Sequence, residues 1–158
     1  PRHITRVSDI SSLTIKHNLT SQILNDKEDI NKKADIIIVN SFGVLEKYYD
    51  YCKNVFVGKS MLKKLENVGG QNPIEPAKLG CKIFHGPYVY NFKEIYEFLN
   101  SNDIAIQVHN EQDLSSKLLE SFETKDISST RYIDNLEKYG DKILTETISN
   151  IKNYINIY

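Results

Sequence analysis

Tryptophan is absent from these 158 residues, and only two cysteines, four prolines and one methionine occur. Cys52 and Cys81 lie far apart in sequence with no C-x-x-C spacing, which argues against a disulfide or zinc framework and fits a reducing compartment. The formal net charge is -1, which argues against general nucleic-acid binding, since that usually goes with a strongly basic face. No apolar run approaches the length of a membrane span, and the N-terminus lacks the apolar segment of a signal peptide. His3, His17, His85 and His109 show no metal-ligand spacing, and no Asp-x-Asp pair occurs, so chemistry without a metal is expected. A starting methionine is missing too, and with Pro1 in that position a fragment or a trimmed product is expected.

What is present is ordinary in bulk. The chain is 40% hydrophobic and 26% charged, as soluble globular proteins are. Its length suits one domain with a proper core and is short for two. Strand and helix signals alternate along it. Segments 21–24, 35–39, 54–57, 82–84 and 105–108 read as strands, and the β-branched run Ile36-Ile37-Ile38-Val39 suits a strand buried on both faces. Segments 43–53, 74–79, 91–100 and 111–122 read as helices. This alternation predicts βαβ units and a parallel sheet with flanking helices, with ligands bound beyond the carboxyl ends of the strands. In the tail, Ile133, Leu136, Ile143, Leu144, Ile148, Ile151 and Ile155 recur near helical spacing. They predict one or two amphipathic helices that pack on the parent domain, with a partner surface as the other reading.

The most informative stretch is Gly69-Gly70-Gln71-Asn72-Pro73-Ile74-Glu75-Pro76, which follows the short strand Val55-Phe56-Val57-Gly58. A strand, a glycine-rich loop and a helix start together present free backbone N–H groups to an anion. Asn72 suits a helix cap, Pro73 the first helical position, and Glu75 the third residue after the cap. The plainer reading is a good helix start behind a flexible turn, and taken alone the stretch favours it.

Other loops change that balance. Val57-Gly58-Lys59-Ser60, then the Gly-Gly stretch, then Gly86-Pro87 followed by Asn91-Phe92-Lys93-Glu94-Ile95 occur in a recognisable order. With Pro1-Arg2-His3 they resemble the C-terminal half of the Kdo transferases over roughly residues 1–122. The resemblance implies a GT-B glycosyltransferase, with two Rossmann-like halves facing each other across a cleft. Its activity would transfer Kdo from CMP-Kdo to a lipid A precursor in lipopolysaccharide biosynthesis, at the cytoplasmic face of the bacterial inner membrane. Residues 1–122 would be the donor-binding domain without its first strands, and 123–158 a helical segment on the same domain. The acceptor site and the general base would belong to the other half, so no catalytic residue is assigned here. The chain alone is expected to be soluble and inactive. Without its first strands the sheet would present a bare edge, closed by a second copy in a homodimer or by re-pairing of its own strands. The sequence also departs from the family, which usually has His at Gln71, Gly at Lys59, His at Tyr88 and an acidic residue at Val44.

The resemblance distributes roles over the loops. Backbone amides from Gly70 to Ile74, with Gly69 before them, would hold the donor phosphate without a buried cation. Ser60, after Gly58, would add a hydroxyl donor. Arg2 offers a planar fork for phosphate or carboxylate, or is simply an exposed chain end. Glu75 would accept from the ribose hydroxyls, or it completes the capping box. Gly86 and Pro87 would read the cytosine edge through their backbone, or form an ordinary turn. Asn91 is expected as a helix cap, with donor contact the lesser alternative. Ser41 and Gly43, after the β-branched strand, would line the same pocket. Lys59, Lys63 and Lys64 form either a solvated surface or a patch that steers anionic ligands at an anionic membrane. No cofactor is expected. Rival readings are another GT-B enzyme or an epimerase using a UDP-sugar, and a degenerate fragment that only binds nucleotide.

Overall fold

The computed structural model describes residues 4–124 and 129–155. It divides into two compact units, Pro1–Leu45 and Glu46–Tyr158. In the first, helix α1 (Val7–Lys16) packs on strand β1 (Ser21–Leu24), which pairs in parallel with β2 (Ile36–Val39). Val7, Leu24 and Ile38 are its buried apolar side chains. The turn into β2 is held by Asp35, whose carboxylate accepts from the Thr20 N–H at 2.8 Å and its hydroxyl at 2.7 Å. Those bonds keep the Asp35 carboxyl below its usual range. The sequence reading assigned no helix at α1. Its Ser and Thr residues bond locally to the backbone, as Thr14 Oγ1 does to Ser11 O at 2.7 Å, and so dilute the helical signal.

The second unit carries a three-stranded parallel sheet in the order β3 (Asn54–Val57), β4 (Lys82–His85), β5 (Ala105–Gln107). As expected, every pairing is parallel, but the strands fall into a two-stranded and a three-stranded sheet. Helix α2 (Leu45–Tyr49) precedes β3 and is shorter than the expected 43–53. Tyr48, Tyr49, Asp50 and Tyr51 are weak helix formers, and Cys52 N–H turns back onto Tyr48 O at 2.8 Å to direct the chain into β3. Helix α3 (Ile74–Lys78) links β3 to β4, and α4 (Lys93–Ser101) links β4 to β5. Helix α5 (Glu111–Glu123) starts on a reciprocal cap. There, Asn110 Oδ1 accepts from Asp113 N at 2.8 Å, and Asp113 Oδ2 accepts from His109 N at 2.9 Å. The core joins Val57, Ile83, Tyr96, Leu99, Ile104 and Ala105, with Leu136 from helix α6 (Ser129–Ile155) inserted among them.

The tail is one helix, continuous through Gly140, and it has two halves. Leu136 is buried and Tyr139 stacks on Phe98 with ring centroids 4.1 Å apart, which fastens the first half to α4. Beyond Gly140, Leu144, Ile148 and Ile151 are exposed. The two cysteines, distant in sequence, are neighbours in space because β3 and β4 are adjacent. Cys81 Sγ lies 3.6 Å from the carbonyls of both Tyr49 and Cys52, and both thiols are free. Among the described residues no helix is long and apolar enough to cross a membrane.

Burial predicts the energetics of this helix. Leu136→Ala should cost about 2–4 kcal/mol in urea unfolding, whereas Ile151→Ala should stay within about 0.5 kcal/mol. Equal losses would contradict the division of α6 into an anchored and an exposed half.

Candidate functional site

The carboxyl ends of β3 and β4 feed loops that lock together. Ser60 is fully buried three residues after Val57. Its hydroxyl donates to Val57 O at 2.7 Å and accepts from Gly86 N at 2.9 Å, joining the loop after β3 to the loop after β4. The backbone continues the union. Tyr88 N donates to Ser60 O at 2.9 Å, Gly70 N to Lys59 O at 2.9 Å, and Asn91 N to Gly69 O at 3.2 Å. Glycine is a steric requirement at the crossings. A Cβ on Gly69 would lie 2.7 Å from Leu65 O and 2.9 Å from Lys59 O, and one on Gly86 would strike Ser60 O. Gly70 adopts φ +83°, and a Cβ there would sit 2.9 Å from Val89 Cα.

These bonds revise several expected roles. Ser60 has its only proton committed to Val57 O, so it holds the loops together and is not a free ligand donor. Gly86 gives its N–H to Ser60, so that donor is not free to read a base, and its carbonyl accepts from His85 Nδ1 at 2.7 Å. Asn91 does not cap α4; its side-chain amide donates to Val68 O at 2.9 Å and braces the Gly-Gly loop. Gly58, unlike Gly69, Gly70 and Gly86, has open space beside its Cα.

The anion cradle is narrower than the sequence suggests. Gly70 N is bonded to Lys59 O, Ile74 N donates to Asn72 Oδ1 at 3.0 Å, and Pro73 has no N–H. Pro76 occupies the first turn of α3, where its missing donor leaves the helix intact. The N–H groups of Gln71, Asn72 and Glu75 are left, and none has an acceptor among the described residues. Helix α3 has only five residues, so its dipole adds little. Asn72 does brace the helix start, although through Ile74 N, and the expected reciprocal bond from Glu75 is not formed. The exposed Glu75 carboxylate makes no hydrogen bond among the described residues. It lies close enough to Tyr49 for its charge to raise that phenol's pKa further, after burial as the larger cause.

Beside these loops lies a cavity of about 460 Å³ lined by Pro87, Tyr88, Tyr90, Tyr96 and the carboxylates Glu66 and Glu97, among others. Its volume suits a small organic ligand. Tyr96 connects it to the Gly-Gly loop, because its buried hydroxyl donates to Gln71 O at 2.9 Å. Burial raises the Tyr96 pKa well above that of a free phenol, so it acts as a fixed donor. Sequence reasoning missed the cavity; the available signal was Tyr88-x-Tyr90 directly after Gly86-Pro87. Pro87 thus lines a pocket that the free amides do not. Ser41 and Gly43 follow β2 in the first unit, Gly43 with φ +70°. Arg2 lies outside the described residues. Among the described residues no three metal-ligating side chains gather.

The chain is 34% identical over 95 residues to a 3-deoxy-D-manno-octulosonic acid transferase of Aquifex aeolicus, a match covering 60% of this chain and 26% of that protein. Its sequence is thus similar to part of a Kdo transferase. The Kdo transferase of Rickettsia conorii matches at 27% identity over 98% of this chain and 33% of its own length. A bifunctional glycosyltransferase/methyltransferase of Fusobacterium nucleatum matches at 32% over 79% of this chain and 19% of its own length. The chain thus spans between a fifth and a third of these relatives. No protein-family model matches it. Among solved structures, the C-terminal CMP-Kdo binding domain of WaaA from Acinetobacter baumannii shares the fold, with a TM-score of 0.73 at 20% identity over 87% of this chain and 69% of that one. The sequence resemblance to the Kdo-transferase C-terminal half and the α/β fold agree.

Ser60→Ala tests the lock. Leaving Val57 O and Gly86 N buried without partners should cost about 1–3 kcal/mol in chemical unfolding. A change below about 0.5 kcal/mol would mean that the loops hold without it.

Proposed function

We propose that this chain is the donor-binding part of a Kdo transferase and holds CMP-Kdo at the loops after β3 and β4. One observation carries the reading: the similarity to Kdo transferases falls on a chain whose Gln71, Asn72 and Glu75 N–H groups find no acceptor among the described residues. In this reading the donor phosphate rests on those amides, Glu75 accepts from the ribose hydroxyls, and the cytosine enters the tyrosine-lined cavity by way of Pro87. Fixed amide dipoles would stabilise the departing CMP without reorganising. A base and an acceptor site supplied from outside this chain would complete direct displacement on Kdo by a hydroxyl of a lipid A precursor. This chain then binds and orients, and does not catalyse alone. The reading assigns no role to a metal. It also places the complete enzyme in the GT-B class at the cytoplasmic face of the inner membrane. It keeps residues 1–122 as the donor domain, 123–158 as its helical extension, and a homodimer through a sheet edge as the form of the isolated chain.

Thermal shift with cytidine and uridine nucleotides tests this. At about 100-fold excess over its dissociation constant, CMP should stabilise the chain by roughly 2.7 kcal/mol, with UMP far weaker. Stabilisation by UMP alone would point to a UDP-sugar enzyme, and no response to either would leave a fragment without nucleotide binding. Glu75→Ala should weaken CMP binding about tenfold, as loss of a charge-assisted bond does, while leaving unfolding free energy unchanged because the side chain is exposed. Unchanged CMP affinity in that variant would remove the ribose role.

A further inference from the structure

Among the non-glycine residues with left-handed backbones, Lys59 at φ +64° stands apart. Asn18 and Asp103 close the turns after α1 and α4, where short polar residues commonly take this conformation. Lys27 sits in an exposed turn of the first unit. Lys59 instead lies at the centre of the locked loops, between Gly58 and the buried Ser60, with its carbonyl accepting from Gly70 N at 2.9 Å. A glycine would adopt this backbone without strain. A lysine is held there at a conformational cost that its surroundings impose, the kind of cost that persists at binding sites. Its side chain is exposed and takes part in no ion pair among the described residues. The bond to Gly70 sets its backbone beside the Gly-Gly loop, one residue before the free Gln71 amide and two before that of Asn72.

We infer that the Lys59 ammonium completes the anion site, supplying the mobile positive charge that the neutral Gln71 and Asn72 amides lack, and contacts the phosphate of the bound nucleotide. This rests on the CMP-binding reading above, and it adds a specific cation to it. A flexible ammonium at a solvated edge can follow the phosphate as the bond to Kdo breaks and its charge grows.

The test titrates wild-type chain, Lys59→Gly, Lys59→Gln and Lys59→Arg with CMP and with cytidine, which has no phosphate, at low and high salt. Lys59→Gly should melt a few degrees higher than wild type through relief of backbone strain. It should nevertheless bind CMP about three- to tenfold more weakly at low salt, with the gap closing at high salt. Lys59→Gln should lose the same affinity without the gain in melting temperature, and Lys59→Arg should keep both affinity and salt dependence. Cytidine affinity should not change in any variant. If wild type binds CMP and Lys59→Gly binds it equally with the same salt dependence, the inference is overturned and the proposed function stands. If cytidine binding falls in parallel with CMP binding, Lys59 shapes the loop instead of touching phosphate, which also overturns it. Failure of wild type to bind CMP at all defeats the proposed function, and this inference with it.

Discussion

The buried hydroxyl of Ser60 is the constraint on which the candidate site depends. One oxygen joins the last residue of β3 to the first loop residue after β4, donating to Val57 O and accepting from Gly86 N. Both partners are out of water, so the bond carries the full penalty of leaving either group unmade. Around it the loops approach so closely that side chains are excluded at Gly69 and Gly86. Regular parallel strands thus end in a closely bonded seam, and under the proposed function loops shaped in advance would lower the entropy lost on binding.

What the seam consumes decides what is left for chemistry. Gly70 and Ile74 spend their N–H groups on the protein, and two prolines contribute none, so the free donors narrow to Gln71, Asn72 and Glu75. A five-residue helix cannot make up the difference with its dipole. Under the proposed function, an anion would rest on these few fixed amides and benefit from a cation nearby. The tyrosine-lined cavity includes Pro87, Tyr88 and Tyr90 of the loop that this seam fixes, whereas the exposed Glu75 carboxylate lies on α3 outside it.

Much of this could be read from residue order. The β-branched run ending at Val39 and the short apolar runs ending at Val57 and Phe84 mark strands, and all pair in parallel. The Gly-Gly-Gln-Asn-Pro stretch marks a loop before a helix start, and its spacing with Gly86-Pro87 and Asn91-Phe92 carries the resemblance to Kdo transferases, which sequence similarity to such enzymes accompanies. Individual roles were far less legible. Whether Ser60, Gly86 or Asn91 faces a ligand or its own protein depends on loop-to-loop bonds spanning more than twenty residues of chain, which local patterns do not encode. Helix α1 escaped notice because Ser and Thr blur its period, and the nearness of Cys52 to Cys81 follows only from the adjacency of β3 and β4.

A nitrogen–proton correlation spectrum of the chain titrated with CMP addresses the central claim most directly. The account predicts that the backbone amides of Gln71, Asn72 and Glu75, which have no acceptor of their own, move most as phosphate arrives. Those of Gly70 and Ile74, already bonded within the protein, should move less. CMP-dependent shifts confined to other surfaces, with these amides unmoved, would contradict it.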